Sequence, residues 1–200
     1  MDCSFYNQGC NGGYPYLVMK YGKENMFIPE KCNPYKGFDG KCESSCDFDK
    51  LPYTYGMFNY QYIGGSYGQC SEKKLMEEIY KNGPVVVSFE PDYNFMLYKS
   101  GIYHSIEDTS WMKQGLNKPE WQKVDHSVLL VGWGEDTELK EKYWILQNTW
   151  GPDWGEKGNF RMRRGVDELG IESICESGIP IIYDNIKKIG IFPKKNLIFQ

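Results

Sequence analysis

Residues 125–134 read DHSVLLVGWG, and residues 147–155 read QNTWGPDWG. In the first stretch Asp125 and His126 precede a nearly all-apolar run, the pattern of a buried strand whose polar end emerges at His126. In the second, an amide at a strand end is followed by Trp150, Gly151, Trp154 and Gly155. That combination is odd for stability alone. It makes sense if the Asn148 side chain orients an imidazole and Trp150 keeps water off their hydrogen bond, the Cys-His-Asn form of a nucleophile, base and orienter. The histidine would hold a thiolate as an ion pair and then protonate the leaving amine. The chain has only two His, so imidazole chemistry falls to one of them. His104 ends a Gly101-Ile102-Tyr103 turn among polar residues and reads as a solvated side chain. His126 alone would read as a satisfied histidine at a core edge; residues 147–155 change that.

Working outward, PVVVSFE (84–90), KYWILQ (142–147) and NFRMRR (159–164) also read as strands, separated by glycine-rich and charged turns. Residues 71–82, SEKKLMEEIYKN, are the clearest helix: Ser71 caps it, Lys74 stands at N3, and Leu75, Met76, Ile79 and Tyr80 form an apolar stripe. Gly83-Pro84 stops it. A further helical turn is expected over 91–98. Residues 1 to about 68 read as turn-rich, and only GYPYLVMKYGKEN (13–25) reads as a short helix. The lysine-bearing tail from Tyr183 reads as a surface strand and a loose end. Helices and loops followed by strands predict an α+β chain in two lobes.

Composition narrows the function classes. The 200 residues are 40% hydrophobic with a formal net charge of -4, which excludes whole-chain disorder and collagen and argues against a nucleic-acid binder. No run of 18 apolar residues is present, so no membrane-spanning helix is expected. The opening MDCSFYNQGC has neither the charged nor the apolar region of a signal peptide.

Seven cysteines are present, and Cys3, Cys10, Cys32, Cys42 and Cys46 crowd the first 46 residues. The cluster reads as a disulfide staple of a loop-rich region, and hence as an oxidising compartment. Buried free thiols, or a zinc site using Cys42 and Cys46, are the alternatives; the lack of a CxxC pair weakens the zinc reading. The odd count leaves at least one cysteine without an internal partner.

Taken in order, Gly9-Cys10-Asn11-Gly12-Gly13, then residues 125–134, then Gln147-Asn148-Thr149-Trp150-Gly151 with Gly155-Glu156-Lys157-Gly158, resemble three motifs of the papain family of cysteine proteases. Within that family the chain is similar to the cathepsin C group of dipeptidyl peptidases. The segments that carry this are Gly12–Leu17, Tyr62–Gly68, Tyr98–His104 and Arg163–Glu168. The resemblance covers about residues 2–180. It implies an α+β, papain-like, two-lobed fold, truncated at its N-terminus. Residues 1–180 would be the downstream two-thirds of the peptidase domain, with about 1–70 from the loop and helix lobe and about 71–180 the β-barrel lobe. Residues 181–200 would be an extension.

The resemblance also implies roles. His126 and Asn148 would be catalytic. The Gly12-Gly13 backbone would pair with an extended substrate, and Trp150 would lie beside it. Tyr14, Tyr16 and Tyr62 would face a chloride ion at the end of a substrate pocket, with no metal required. Cys3 would pair with Cys42 and Cys32 with Cys46, leaving Cys10, Cys70 and Cys175 free and removing the zinc reading. Peptides or proteins would be the substrate, with no nucleic acid or membrane partner, in a lysosome, a vacuole or outside the cell.

The family nucleophile sits in a motif such as C-G-S-C-W, roughly 130–150 residues before the histidine. None of the seven cysteines has that context. The chain is therefore expected to lack the nucleophile, the oxyanion-hole Gln, and the exclusion domain whose Asp grips a free amine, and to be inactive alone. The alternatives are a non-catalytic homologue that binds peptides or regulates a protease, and a stapled structural domain with no cleft.

Overall fold

The computed structural model describes residues 2–47, 50–106, 124–187 and 189–191. They fall into two units, one within residues 2–61 and 178–191, the other within residues 62–177.

In the first unit, turn-forming residues leave room for little regular structure. A 3-10 turn spans Gly9–Asn11. Helix α1 (Pro15–Asn25) starts with Pro at its first turn, where a missing N–H is harmless, and buries Met19 and Gly22. The sequence reading placed this helix from residue 13; the proline sets the start two residues later. Strand β1 (Tyr53–Tyr62) is ten residues long. This corrects the expectation that 1–68 is turn-rich with only a short helix. YTYGMFNYQY has aromatic residues at 53 and 55 and again at 58, 60 and 62, but the alternation slips phase between Tyr55 and Phe58 across Gly56, and its partner lies more than a hundred residues away in sequence. Two disulfides lock the unit, Cys3–Cys42 with Cα atoms 4.6 Å apart and Cys32–Cys46 with Cα atoms 5.2 Å apart.

The second unit is built on strands too apolar to face water. Helix α2 (Glu72–Asn82) begins where Ser71 Oγ accepts from the Lys74 N–H at 3.5 Å and ends at Gly83, with Leu75 fully buried. Strand β2 (Val85–Phe89) follows, then a single helical turn α3 (Tyr93–Met96) capped by Asp92, then β3 (Ile102–Tyr103). Strands β4 (His126–Asp136), β5 (Glu141–Gln147) and β6 (Asn159–Arg163) form an antiparallel meander. Strand β7 (Ile174–Asp184) passes from this unit into the first. In the second unit the strand order is β7-β2-β4-β5-β6-β3, antiparallel except for the β3–β6 pair. In the first unit β7 continues beside β1, and β8 (Ile189–Ile191) pairs with it through Ile182↔Ile191.

The second unit's core takes one face of this sheet. Val85, Val87 and Phe89 alternate inward from β2 and meet Leu130, Trp144, Leu146, Phe160 and Met162. A bulge at Val131 shifts the register between Leu130 and Gly132. Leu129 stays opposite Gln147, so the start of β4 and the end of β5 lie at one end of the sheet.

Candidate active site

That register is what brings His126 to Asn148. Antiparallel pairing puts the first residue of β4 and the residue just after β5 at a common edge, 22 positions apart in sequence. His126 Nε2 and Asn148 Oδ1 are 2.8 Å apart. The Thr149 backbone N–H also donates to Oδ1, at 2.8 Å. An atom that accepts from a backbone N–H is the carboxamide oxygen, so His126 Nε2 must be the protonated nitrogen. The other ring nitrogen, Nδ1, then holds a lone pair and can take a proton.

Trp150 covers this hydrogen bond. Its ring stacks on the His126 imidazole with centroids 4.9 Å apart and planes 28° from parallel. Asn148 is 7% exposed and Trp150 36% exposed, so the amide is shielded while the indole keeps a solvent face. A dry environment strengthens the amide–imidazole bond and slows its exchange with water. Phe89 approaches His126 edge-on from the core, at 5.6 Å, so the ring is held on two sides.

The loop after Asn148 is shaped to hold the indole there. The Asn148 N–H donates to Gly158 O at 2.9 Å, and the Gly158 N–H to Trp154 O at 2.8 Å. Gly155 has φ +57°, and a Cβ there would stand 2.6 Å from Asn159 O, so only glycine closes this loop. Trp154 packs edge-on to Trp150 at 5.0 Å and donates its Nε1–H to Met96 O at 3.2 Å. Phe95, fully buried, touches both indoles and Phe160. Asp92 anchors the turn that carries Phe95: it accepts from the Phe95 N–H, the Tyr103 hydroxyl and the Ser105 hydroxyl. Phe89, Phe95, Asp92 and Thr149 support the site without having been singled out in the sequence. Only Asp92, a capping residue ahead of a helical turn, left a local signal.

The remaining expected site residues are placed as follows. Gly12 and Gly13 belong to the first unit, at the end of the 3-10 turn. A Cβ on Gly13 would meet the Asn7 side chain at 2.1 Å, and Asn7 Oδ1 accepts the next N–H, that of Tyr14, at 2.8 Å. Tyr14 is half exposed, and Tyr16 packs edge-on to Tyr60 at 4.8 Å, both in the first unit. Tyr62 belongs to the second unit and packs edge-on to Tyr67 at 5.7 Å. His104 is paired rather than merely solvated, with its Nε2 2.9 Å from Glu141 Oε1 and 3.0 Å from Oε2.

Cys10, Cys70 and Cys175 are free thiols. Cys10 is exposed, and loss of solvation together with the nearby Asp39 carboxylate pushes its thiol up, the opposite of an activated nucleophile. Cys70 and Cys175 are buried in the second unit's core. Among the described residues, no sulfur is hydrogen-bonded to His126.

The chain matches the papain family cysteine protease profile over residues 1–179. It is similar to "Cathepsin C" of Schistosoma mansoni, with 44% identity over 185 residues, 91% of this chain and 39% of that protein. It is also similar to "Dipeptidyl aminopeptidase 1" of Plasmodium falciparum (isolate 3D7), with 34% identity over 239 residues, 86% of this chain and 34% of that protein. The chain thus spans well under half the length of these two relatives. Among solved structures, the bromelain protease of Ananas comosus in complex with the E64 inhibitor superposes with a TM-score of 0.67 at 26% identity, over 88% of this chain and 74% of that one.

Proposed function

This chain belongs to the papain family of cysteine proteases and has its α+β fold, and from that premise we propose that His126 and Asn148 are the base and orienter of a peptide-hydrolysing thiol enzyme. The observation that carries the reading is the 2.8 Å bond between His126 Nε2 and Asn148 Oδ1 beneath Trp150. With Nε2–H held by the amide, Nδ1 takes the proton of a cysteine thiol and leaves an imidazolium–thiolate pair. The thiolate adds to the peptide carbonyl carbon, and the carbonyl electron pair moves to oxygen. Collapse of that adduct expels the amine, which leaves with the imidazolium proton. His126 then deprotonates a water that hydrolyses the thioester.

The reacting thiolate is not among the seven cysteines of these 200 residues. Four are in disulfides, two are buried in the core, and Cys10 has a raised pKa. Gly12 and Gly13 are the proposed backbone strip beside an extended peptide, with the Gly12 N–H already donated to Gly9 O and its C=O accepting from the Gln8 N–H. The names of the two relatives favour release of dipeptides from a free N-terminus. The phenol groups of Tyr14 and Tyr16 in the first unit, and that of Tyr62 in the second, each carry an O–H of the kind that donates to an anion such as chloride; the Tyr14 N–H is already donated to Asn7. The two disulfides favour a lysosomal, vacuolar or extracellular setting. Among the described residues no helix is long and apolar enough to cross a membrane.

The test is turnover with and without a family segment bearing Cys-Gly-Ser-Cys-aromatic, fused ahead of residue 1. The 200 residues alone are expected to cleave no dipeptidyl or endopeptidase substrate. The fusion is expected to show cleavage abolished by thiol alkylation. His126→Ala should lower its rate by roughly 10²–10⁴-fold or more, whereas His104→Ala should stay near the parent. Fast turnover by the 200 residues alone, blocked by alkylating one of the seven cysteines, would move the nucleophile into this chain. A fusion that binds peptides but never cleaves them would favour the non-catalytic reading.

A further inference from the structure

Cys70 and Cys175 lie 105 positions apart in sequence and meet in the core of the second unit. Cys70 is 8% exposed and Cys175 1% exposed. The Cys70 thiol is near enough to the Cys175 thiol to help push its pKa up. Each also faces a main-chain carbonyl of its own segment, Cys70 Sγ that of Ser71 at 4.0 Å and Cys175 Sγ that of Ile171 at 3.7 Å.

The backbones that carry them are tied to one short crossing. The Ile63 N–H donates to Cys175 O at 2.9 Å. The next residue, Gly64, presses on the other cysteine's segment: a Cβ there would stand 2.1 Å from Gln69 O and 3.2 Å from Cys70 N. Residues 63 and 64 therefore touch both cysteine segments at once. A disulfide asks for Cα atoms about 4.4–6.8 Å apart, the spacing of neighbouring backbone segments, with the two Cβ atoms turned toward each other. Both side chains are buried in the same core and interact with each other, which favours the second condition.

We propose that Cys70 and Cys175 are an oxidisable pair that closes to a third disulfide within the second unit. The bridge would fasten the Gly64–Gln69 turn and the start of α2 to β7. Burying it carries little desolvation penalty, because a disulfide is apolar and the hydrogen bonds it replaces are weak. It closes a much longer loop than either bridge of the first unit, whose sequence separations are 39 and 14.

The oxidant is a low-molecular-weight disulfide, with glutathione disulfide as the probe. Cys70, the more exposed residue of the two, attacks first as thiolate. The glutathione S–S bond breaks, one glutathione leaves as thiol, and a mixed disulfide forms on Cys70. Cys175 then gives its proton to solvent and attacks the Cys70 sulfur, and the second glutathione leaves and takes up a proton. Two protein thiols lose two electrons in all, and one glutathione disulfide gains them. Burial and the neighbouring sulfur push the Cys175 thiol well up, so the second step accelerates as pH rises.

The test uses the full chain carrying Cys10→Ser, which leaves two free thiols. After incubation with glutathione disulfide at pH 8, alkylation under denaturing conditions is expected to find none. Peptide mapping should join the Cys70 and Cys175 peptides with the loss of two hydrogens. The midpoint of thermal unfolding should rise by roughly 5–10 °C and return on treatment with dithiothreitol. Cys70→Ser and Cys175→Ser should each keep a single modifiable thiol and show no rise. The unsubstituted chain, mapped directly after expression in an oxidising compartment, reads the bridge independently of the variants. Two thiols that stay alkylatable, separate glutathione adducts on the two cysteines, or a bridge running from Cys10 would each overturn the proposal.

Discussion

The two units reach order by different means. Of 22 buried apolar residues among those described, only Met19, Cys32 and Leu51 belong to the first unit; the other 19 belong to the second. Both disulfides belong to the first unit, and Phe5, Tyr35, Phe38 and Phe58 of that unit stand exposed. A segment with so few buried side chains lacks the apolar burial to offset chain entropy, and cross-links reduce that entropy instead. The second unit, dense in buried aromatic and aliphatic residues, carries the His126–Asn148 pair. A hydrogen bond needed in one geometry sits where Phe89 and Trp150 pack against the His126 ring and Asn148 is buried.

The contrast is open to direct attack, most forcefully through Phe95. This fully buried ring touches Phe89, Tyr103, Phe160 and both site tryptophans. Phe95→Ala is expected to destabilise the second unit by about 3–5 kcal/mol. All six tryptophans of the chain fall in the sequence of that unit, so denaturant unfolding followed by tryptophan fluorescence reads it alone. A loss below about 1 kcal/mol would mean that packing does not hold the site.

The reciprocal experiment replaces Cys32 and Cys46 together by serine. Opening this short loop should remove about 3 kcal/mol from the first unit. Hydrogen exchange over residues 30–46 should quicken while the fluorescence transition stays in place. A matching shift in that transition would show that the two units unfold as one.

Acidity separates them further. Glu176 in the second unit is 2% exposed, its Oε2 has no hydrogen-bond partner, and burial raises its pKa from 4.5 to about 7. Burial also raises Glu172, although the Trp144 indole N–H and the Gly165 and Asp167 N–H groups oppose the shift. A carboxyl whose folded pKa lies above its unfolded value holds its proton more tightly when folded. The penalty is absent below pH 4.5, grows up to about pH 7, and is constant beyond it. At roughly 1.4 kcal/mol per pH unit, the loss from this group is at most about 3 kcal/mol. Glu176→Gln is therefore expected to flatten the fall in stability of the second unit between pH 4.5 and 7, as measured by denaturant titrations at several pH values. An unchanged slope would show that Glu176 is ionised inside the fold.

The smallest effect is expected at Ser71. Ser71→Ala should cost about 1 kcal/mol by leaving the Lys74 N–H without its cap. The change belongs in the second unit's transition alone; a loss seen only in the exchange of residues 30–46 would contradict the division.

Much of the second unit was legible in the sequence because its signals are local. Ser71 and Gly83-Pro84 mark both ends of α2, and the β-branched run after Pro84 marks β2. DHSVLLVGWG and QNTWGPDWG give the two strand ends whose polar residues form the pair. Strand β1 was not legible. Its alternation slips phase between Tyr55 and Phe58, and it becomes a strand by lying beside β7, which no neighbouring residue encodes. Nor could sequence choose the acceptor atom of Asn148, set by the Thr149 N–H, or find the Phe89 ring against His126. The sequence by itself determined which residues could do chemistry and where strands and helices begin, because caps, periodicity and glycine stops act over a few residues. Only the tertiary structure decided the His126 tautomer, the meeting of Cys70 with Cys175, and the burial of Glu176. Each depends on which distant segment is placed against it, and pairing over such separations is fixed by the packing of the whole sheet.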